Sequence, residues 1–346
     1  MAHEFADFHD ELREVAADLL GKDSGAPVDW TLLAQAGWLG LEVPEAAGGA
    51  GATFAEVAII LDQMGRTAAR SPYLGATLAV GTLNALAPSA VRDALLADAA
   101  AGSVRVAASI EAPFTIVTTP DGLRVDGRAE FVPDADDAQR LLLLARDASG
   151  TPVVVGVAAA DLEITAQPVL DETRRFAAVT ADGVVVAESA VWAFAGDAAA
   201  VAGTLLDRAA VAVACDSLGL AEAMLAATVS YTGVRQQFGR PIGSFQAVKH
   251  ACADMQVSIA VARQLVAAAV DAVAEGSPEA STAASMAKSY ACSSAVEVVG
   301  KAMQLHGGIG YTWESGIHVY LKRAALNRSL FGSPAAHRRQ LAQRYR

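Results

Sequence analysis

The sequence is poor in the residues that staple, anchor or attract. Three cysteines, Cys215, Cys252 and Cys292, stand far apart among Ala, Val and Ser. An odd number at such spacing gives neither a disulfide framework nor a zinc site, so a reducing cytoplasmic setting is expected. The His residues show no metal-ligand spacing either, and His250 and His306 read as packing or hydrogen-bonding groups. Nor is there a basic excess: the formal net charge is −12. That sign opposes counterion release from nucleic acid and attraction to anionic membranes, so neither is expected as a partner. The first ten residues are acidic and amphipathic where a secretory signal needs a basic start and an unbroken apolar stretch. Although 53% of the residues are hydrophobic, much of that is alanine, and runs such as Ala209–Ala214 read as too short and interrupted to span a bilayer. No internal repeat or low-complexity linker appears.

What is present reads as helices, then strands, then helices. At 346 residues the chain has room for two or three ordinary domains. Phe5, Phe8, Leu12, Val15 and Leu19 recur at spacings of three and four, which predicts a helix with one apolar face. A Gly-rich turn at residues 46–52 precedes an amphipathic run from Phe54 to Met64 and further helix to about Ala101. Short Val/Leu-rich runs follow at Val104–Ile110, Arg140–Ala145, Pro152–Val157 and Gly183–Ala187. They are punctuated by Pro120-Asp-Gly and Val125-Asp-Gly, which read as turns of a small antiparallel β domain. From about Asp197 long helices return. One of them opens at Ser277-Pro278-Glu279 and stops at Gly307-Gly308. The expected domains are residues 1–101 (helical), 102–196 (β) and 197–346 (helical bundle).

Two C-terminal blocks carry the chemistry. In the first, residues 235–250, a helix ends near Tyr231 and another begins near Ser244, with Arg235, Gln237, Phe238 and Arg240 between them. Arginines where a helix begins suit a phosphate or pyrophosphate, because guanidinium forks and free N–H groups converge there. In the second, Gln304-Leu-His-Gly-Gly-Ile-Gly-Tyr-Thr-Trp-Glu, the double glycine lets backbone approach a flat ligand and Gln304 offers an amide.

Together and in this order, the blocks resemble the acyl-CoA dehydrogenase family, and the resemblance covers nearly the whole chain. Gly37-Trp-Leu-Gly-Leu-Glu-Val-Pro-Glu with Gly48-Gly carries it in the first part, and Val125-Asp-Gly-Arg-Ala-Glu-Phe-Val-Pro in the second. It implies an α+β fold with an N-terminal helical domain, a middle antiparallel β domain and a C-terminal four-helix bundle. It also implies FAD as cofactor. Arg235 matches the arginine that holds the FAD pyrophosphate, Phe238 the phenylalanine beside it, and Gln237 a polar flavin contact. Gln304, His306, Gly307 and Gly308 match the strip that meets the AMP half. In the family these contacts cross a dimer interface to the neighbour's flavin, so a homo- or hetero-oligomer, dimer or tetramer, is implied. The implied reaction oxidises an acyl-CoA to its 2,3-enoyl form and passes electrons to an electron-transfer flavoprotein.

The sequence departs from that pattern at the base. Threaded from Gln304, the family's catalytic glutamate falls on Phe331, which takes no proton, while Ser333 keeps a hydroxyl where the family has a threonine against the flavin, which implies a cofactor contact there. The alternative base position in the first long C-terminal helix falls on Ala209 or Ala210. Asp216, two turns further along nearly the same face, is the candidate catalytic residue, because a carboxylate in an apolar stretch can hold the raised pKa a base needs. The competing reading is an interior aspartate paired with an arginine. The family's Thr-Glu-Pro…Gly-Ser-Asp loop is reduced to Ser109-Ile-Glu-Ala-Pro-Phe-Thr, and its Trp-Ile-Thr strand becomes Phe131-Val-Pro. Two functions stay open: an acyl-CoA dehydrogenase with an unusual base, and a silent partner subunit that completes the FAD site of a heteromer of the kind found in bacterial steroid breakdown.

Overall fold

The computed structural model describes residues 5–21, 27–120 and 122–344. Five helices come first: α1 (His9–Gly21), α2 (Trp30–Gln35), α3 (Phe54–Arg66), α4 (Tyr73–Asn84) and α5 (Ala90–Ala100). Seven strands follow: β1 (Val106–Thr119), β2 (Gly122–Pro133), β3 (Arg140–Arg146), β4 (Pro152–Ala158), β5 (Glu163–Ala166), β6 (Phe176–Val186) and β7 (Val191–Ala193). The chain then runs through α6 (Ala198–Val234), a two-stranded hairpin β8 (Gln236–Gln237) and β9 (Arg240–Pro241), α7 (Gln246–Ala274), α8 (Ala280–His306), α9 (Ile317–Ser329) and α10 (Pro334–Arg344). Two compact units result. One draws on Met1–Ala26, Ala58–Ala69 and Asp207–Arg346, the other on Pro27–Val57 and Arg70–Leu206.

The second unit is built on a seven-stranded sheet in the order β5-β6-β2-β1-β3-β4-β7. Its neighbours run antiparallel except β1 and β3, which are parallel. In β3, Leu141, Leu142, Leu143 and Leu144 are all buried, so both faces are covered, which is why the strand reads as an unbroken apolar run rather than an alternation. Val125-Asp-Gly, expected as a turn, lies inside β2 instead. The pairing with β6 slips between Val125 and Gly127, where β6 carries one extra residue, and Gly127 takes φ 145° with a Cβ position only 2.8 Å from Phe114 Cα, so the glycine sits opposite a bulge against the backbone of β1. Turn and bulge both call for a glycine, and a local sequence signal does not separate them. Likewise Ser109–Thr115, read as a shortened loop, runs within β1, with a register shift between Ser109 and Phe114.

The first unit is helical. In α1 the expected apolar face is only partly used: Phe8 and Val15 are exposed, while Ala16 and Leu20 are buried. The helix turns Ala16 and Leu20 inward. The helix predicted to open at Ser277 begins at Ala280, preceded by a turn in which Ser277 Oγ accepts from the Glu279 N–H at 3.2 Å. It ends where expected, at Gly307. Contrary to the reading of short apolar runs, α6 and α7 are each long and apolar enough to cross a membrane by length and composition alone. The apolar stretch of α6 is 78% buried within the fold, as in a core helix, whereas that of α7 is 22% buried.

Candidate functional site

Arg235 sits at the end of the longest helix, where the main chain turns through a hairpin. Its N–H still donates to Tyr231 O at 2.9 Å, and its carbonyl accepts from the Ile242 N–H at 2.8 Å, closing the hairpin base. Gln237 pairs with Arg240, leaving Phe238 and Gly239 as the two-residue loop. Both have positive φ, 53° and 76°, as a type I′ turn requires. Phenylalanine is a poor residue for that conformation, at a cost of about 1–3 kcal/mol. Its ring is nevertheless held out in water, 91% exposed, with Phe245 edge-on at 6.2 Å. Arg240 lies 4.1 Å over the Phe245 ring. Arg235 and Gln237 are exposed beside it.

The glycine strip is tied to this hairpin. His306, the last residue of α8, stacks on Tyr231 at 4.4 Å, and Tyr231 Oη donates to the His306 carbonyl at 3.3 Å. The His306 Nδ1 bonds the carbonyl of Ala302 at 2.8 Å, which fixes the ring. Thus the ends of α6 and α8, far apart in sequence, meet through one stacked pair, and the two chemistry-bearing blocks share a surface. Gly307 takes φ 64°, ψ −141°, open to glycine alone, and a Cβ on Gly307 or Gly308 would meet nothing within 4 Å. Gln304, Gly307 and Gly308 are exposed. Exposed guanidinium, amide and bare backbone flanking the Tyr231–His306 stack are groups that suit the pyrophosphate and nucleotide half of a dinucleotide such as FAD.

The position threaded onto the family's glutamate has a different character. Between α9 and α10, Phe331 and Gly332 take positive φ, 51° and 92°. The Phe331 carbonyl accepts from His337 Nε2 at 2.9 Å, and His337 Nδ1 meets Ser285 Oγ at 3.1 Å. Burial holds the His337 pKa below its usual value, which keeps the imidazole neutral and its Nε2–H available. Lys288, wholly buried, donates to the carbonyls of Asn327 at 2.8 Å and Arg328 at 3.3 Å, and burial lowers its pKa. The turn is therefore pinned from beneath. Ser333 is exposed, and its hydroxyl accepts from the Ala336 N–H at 3.3 Å as a helix cap.

Asp216 is 0% exposed. Arg323 grips both its oxygens: Nε lies 3.0 Å from Oδ1 and 3.2 Å from Oδ2, and Nη2 lies 2.5 Å from Oδ2. Asn327 Nδ2 adds a bond to Oδ1 at 2.6 Å and another to Ser217 Oγ at 3.2 Å. Ser217 in turn contacts Cys292 Sγ at 3.4 Å. This is the arrangement of the interior, arginine-paired aspartate. Two glycines permit it, since a Cβ on Gly65 would fall 2.1 Å from Asp216 O and one on Gly219 2.0 Å from Asp62 O, so α3 and α6 cross with backbones in contact. At the same crossing burial raises the pKa of Asp62, with Arg66 opposing it from 2.8 Å.

The sequence singled out neither Arg323 nor Asn327. They lie four apart in Lys322-Arg-Ala-Ala-Leu-Asn, a spacing that puts them on one helix face, and that was the available signal. Among the described residues five non-glycine positions have positive φ: Ala68, Phe131, Asp134, Phe238 and Phe331. The three phenylalanines each fall in a motif singled out above. Phe131 is a bulge in β2, half exposed and edge-on to Phe176 at 6.5 Å.

Helices, a mixed sheet and a second set of long helices that presents an arginine hairpin beside a glycine strip define one class of protein. The acyl-CoA dehydrogenase N-terminal domain matches residues 1–103 and the C-terminal domain residues 197–345. The acyl-CoA dehydrogenase IpdE2 of Mycolicibacterium smegmatis is 34% identical over 316 residues, 90% of this chain and 86% of that protein. Among solved structures, a variant of the Tcur3481-Tcur3483 steroid ACAD superposes with a TM-score of 0.86 at 29% identity, covering 98% of each chain. The ChsE4-ChsE5 complex of Mycobacterium tuberculosis does so at 0.85 and 25%, covering 99% of this chain and 96% of that one. The chain belongs to the acyl-CoA dehydrogenase family.

Proposed function

We propose that this chain is the FAD-completing subunit of a heteromeric acyl-CoA dehydrogenase, lending Arg235, Gln237, Phe238 and the Gln304–Gly308 strip to a flavin whose catalytic carboxylate belongs to another chain. One observation carries the reading: the residues proposed to meet the cofactor are exposed, while the family's base position holds a phenylalanine and the remaining candidate carboxylate has both oxygens gripped by Arg323. A base needs an oxygen that can reach substrate, and Asp216 is spent on its neighbours. Self-sufficient catalysis through Asp216 is thereby disfavoured.

Bound FAD would supply the hydride acceptor for α,β-dehydrogenation of an acyl-CoA thioester, with electrons leaving to an electron-transfer flavoprotein. In this chain Arg235 would neutralise pyrophosphate charge through a forked contact, Gln304 would hydrogen-bond the nucleotide, and the bare backbone at Gly307 and Gly308 would permit close approach. Similarity to a steroid ACAD and to a complex of two named chains supports a substrate class of acyl-CoA esters from steroid breakdown and a hetero-oligomeric assembly. Three free cysteines suit a reducing cytoplasm.

The test is to purify the chain alone and with the product of the neighbouring gene, and to measure FAD per chain. Little or no flavin alone and about one FAD per two chains in the mixed complex is the expected result. A full complement of FAD, with turnover, in the chain by itself would overturn the proposal.

A further inference from the structure

Beyond the glycine strip the chain makes two short 3-10 turns, Gly307–Tyr311 and Trp313–Ser315. They carry Tyr311 at 70% and Trp313 at 75% exposure. Of the other tryptophans, Trp38 and Trp192 are buried and Trp30 is half-buried with its Nε1 donating to Gly102 O. Trp313 alone lies open. It is nevertheless held still: His318 stands edge-on to its ring at 4.4 Å, and Lys322 Nζ lies 5.3 Å over the ring centroid. Beneath it, Ser315 Oγ donates to Thr312 O at 3.0 Å, and Gly316 turns the chain into α9 at φ 67°.

A fixed indole with a cation against it and most of its surface in water is a platform for a flat, electron-rich ring. Stacking on an aromatic side chain is a general mode of binding bases, since each base has a π face, and a nearby ammonium adds attraction for the attached phosphate. Gly308 is five residues away in the sequence, and the first of the two turns starts within the glycine strip itself, at Gly307. We infer that Trp313, backed by Lys322, is the stacking platform for the adenine ring of the FAD whose AMP half passes along the glycine strip. This extends the cofactor contacts past Gly308 and rests on the FAD-completing role proposed above.

The experiment uses the deflavinated complex with its catalytic partner. FAD and FMN, which lacks the adenylate, are titrated separately into wild type, Trp313→Phe, Trp313→Leu, Lys322→Met and Arg235→Ala, with flavin fluorescence as the readout and light scattering to follow assembly. Loss of a stacked base should weaken FAD by roughly five- to hundred-fold in Trp313→Leu, while FMN affinity stays as in wild type. Trp313→Phe, which keeps a π face, should stay close to wild type, and Lys322→Met should fall between. Equal weakening of FAD and FMN, or unchanged FAD affinity in Trp313→Leu, overturns the platform. So does dissociation of the complex with FAD affinity intact, because Trp313 then packs against protein. Arg235→Ala separates the two levels: if it too leaves FAD affinity unchanged, the failure lies in the FAD-completing reading itself.

Discussion

The helical unit carries polar chemistry in two places that could hardly differ more. On its surface Arg235, Gln237, Phe238, Gln304 and Trp313 stand exposed. In its interior Asp216, Ser217, Lys288, Arg323 and Asn327 are buried and bonded to one another or to helix-end carbonyls. Burial decides what each set can do. A charged group taken from water must have its partners within the fold, and a group so partnered has little left for a ligand. A group left in water keeps its bonding capacity for a molecule still to arrive. The interior cluster is committed to the fold, whereas the exposed set keeps its bonding capacity for the cofactor proposed to meet it.

The most forceful way to break this comparison is Asp216→Asn. If the cluster is structural, the variant takes the carboxylate charge away from Arg323 in the interior and should lose about 3–5 kcal/mol of stability, seen in chemical denaturation, with a lower melting temperature. A variant that melts like wild type yet loses acyl-CoA-dependent flavin bleaching in the assembled complex would instead return Asp216 to catalysis.

Asp134, in the sheet-bearing unit, sharpens the comparison because it is a carboxylate without such a clamp. Its residue keeps some surface, but its carboxyl is enclosed, and the bond it makes is from the Gly75 N–H at 3.0 Å. Desolvation pushes its pKa up from 3.8 to about 7, against the lowering effect of Arg174. A carboxyl with a raised pKa in the folded state binds its proton more tightly there than in the unfolded chain. Its stabilisation is complete below about pH 4 and is lost as pH rises through about 7. The span corresponds to a ceiling of about 4 kcal/mol. Asp134→Asn keeps an acceptor for Gly75 and should flatten the fall in stability between pH 4 and pH 8; an unaltered slope removes Asp134 as its source.

On the exposed side, Arg235→Ala should cost about 1.5–3 kcal/mol of FAD binding to the complex, with the melting temperature of the isolated chain unmoved. Lysine should restore only part, since it lacks the planar fork. The separation of affinity from stability is the point: a drop in both would place Arg235 among the structural residues. The smallest effect is expected from Phe331→Glu, which should leave turnover of the chain without its partner at background. A carboxylate at that left-handed, pinned turn is not one shaped for substrate. Substantial dehydrogenation by that variant would show that a missing base was all that separated this chain from a self-sufficient enzyme.

Much of this was legible from neighbouring residues. Helix ends announce themselves locally, as at Gly307, where glycine alone can take the stop conformation. The order of the arginine and glycine blocks identified the family, and the strand runs at Arg140 and Pro152 were placed to within a residue. The misreadings are local signals with two tertiary outcomes. Val125-Asp-Gly has the glycine of a turn but lies within β2 opposite a bulge in β6, because β6 pairs along both sides of it. Phe8 and Val15 have the helical spacing of a buried face but lie exposed, because the unit takes Ala16 and Leu20 instead.

The sequence by itself determined the family and the succession of helices and strands, since each depends on residue types at short, fixed spacings. Only the tertiary structure decided which of the two aspartate readings the geometry favours. Asp216 and Arg323 are separated by more than a hundred positions, and their pairing exists because α3 and α6 cross at two glycines and α9 lays an arginine and an asparagine against the same spot. It likewise decided that Tyr231 and His306 would stack and so set the hairpin and the glycine strip on one surface. Spacing along the chain encodes local conformation, whereas the partner of a buried charge is fixed by packing that no short stretch contains.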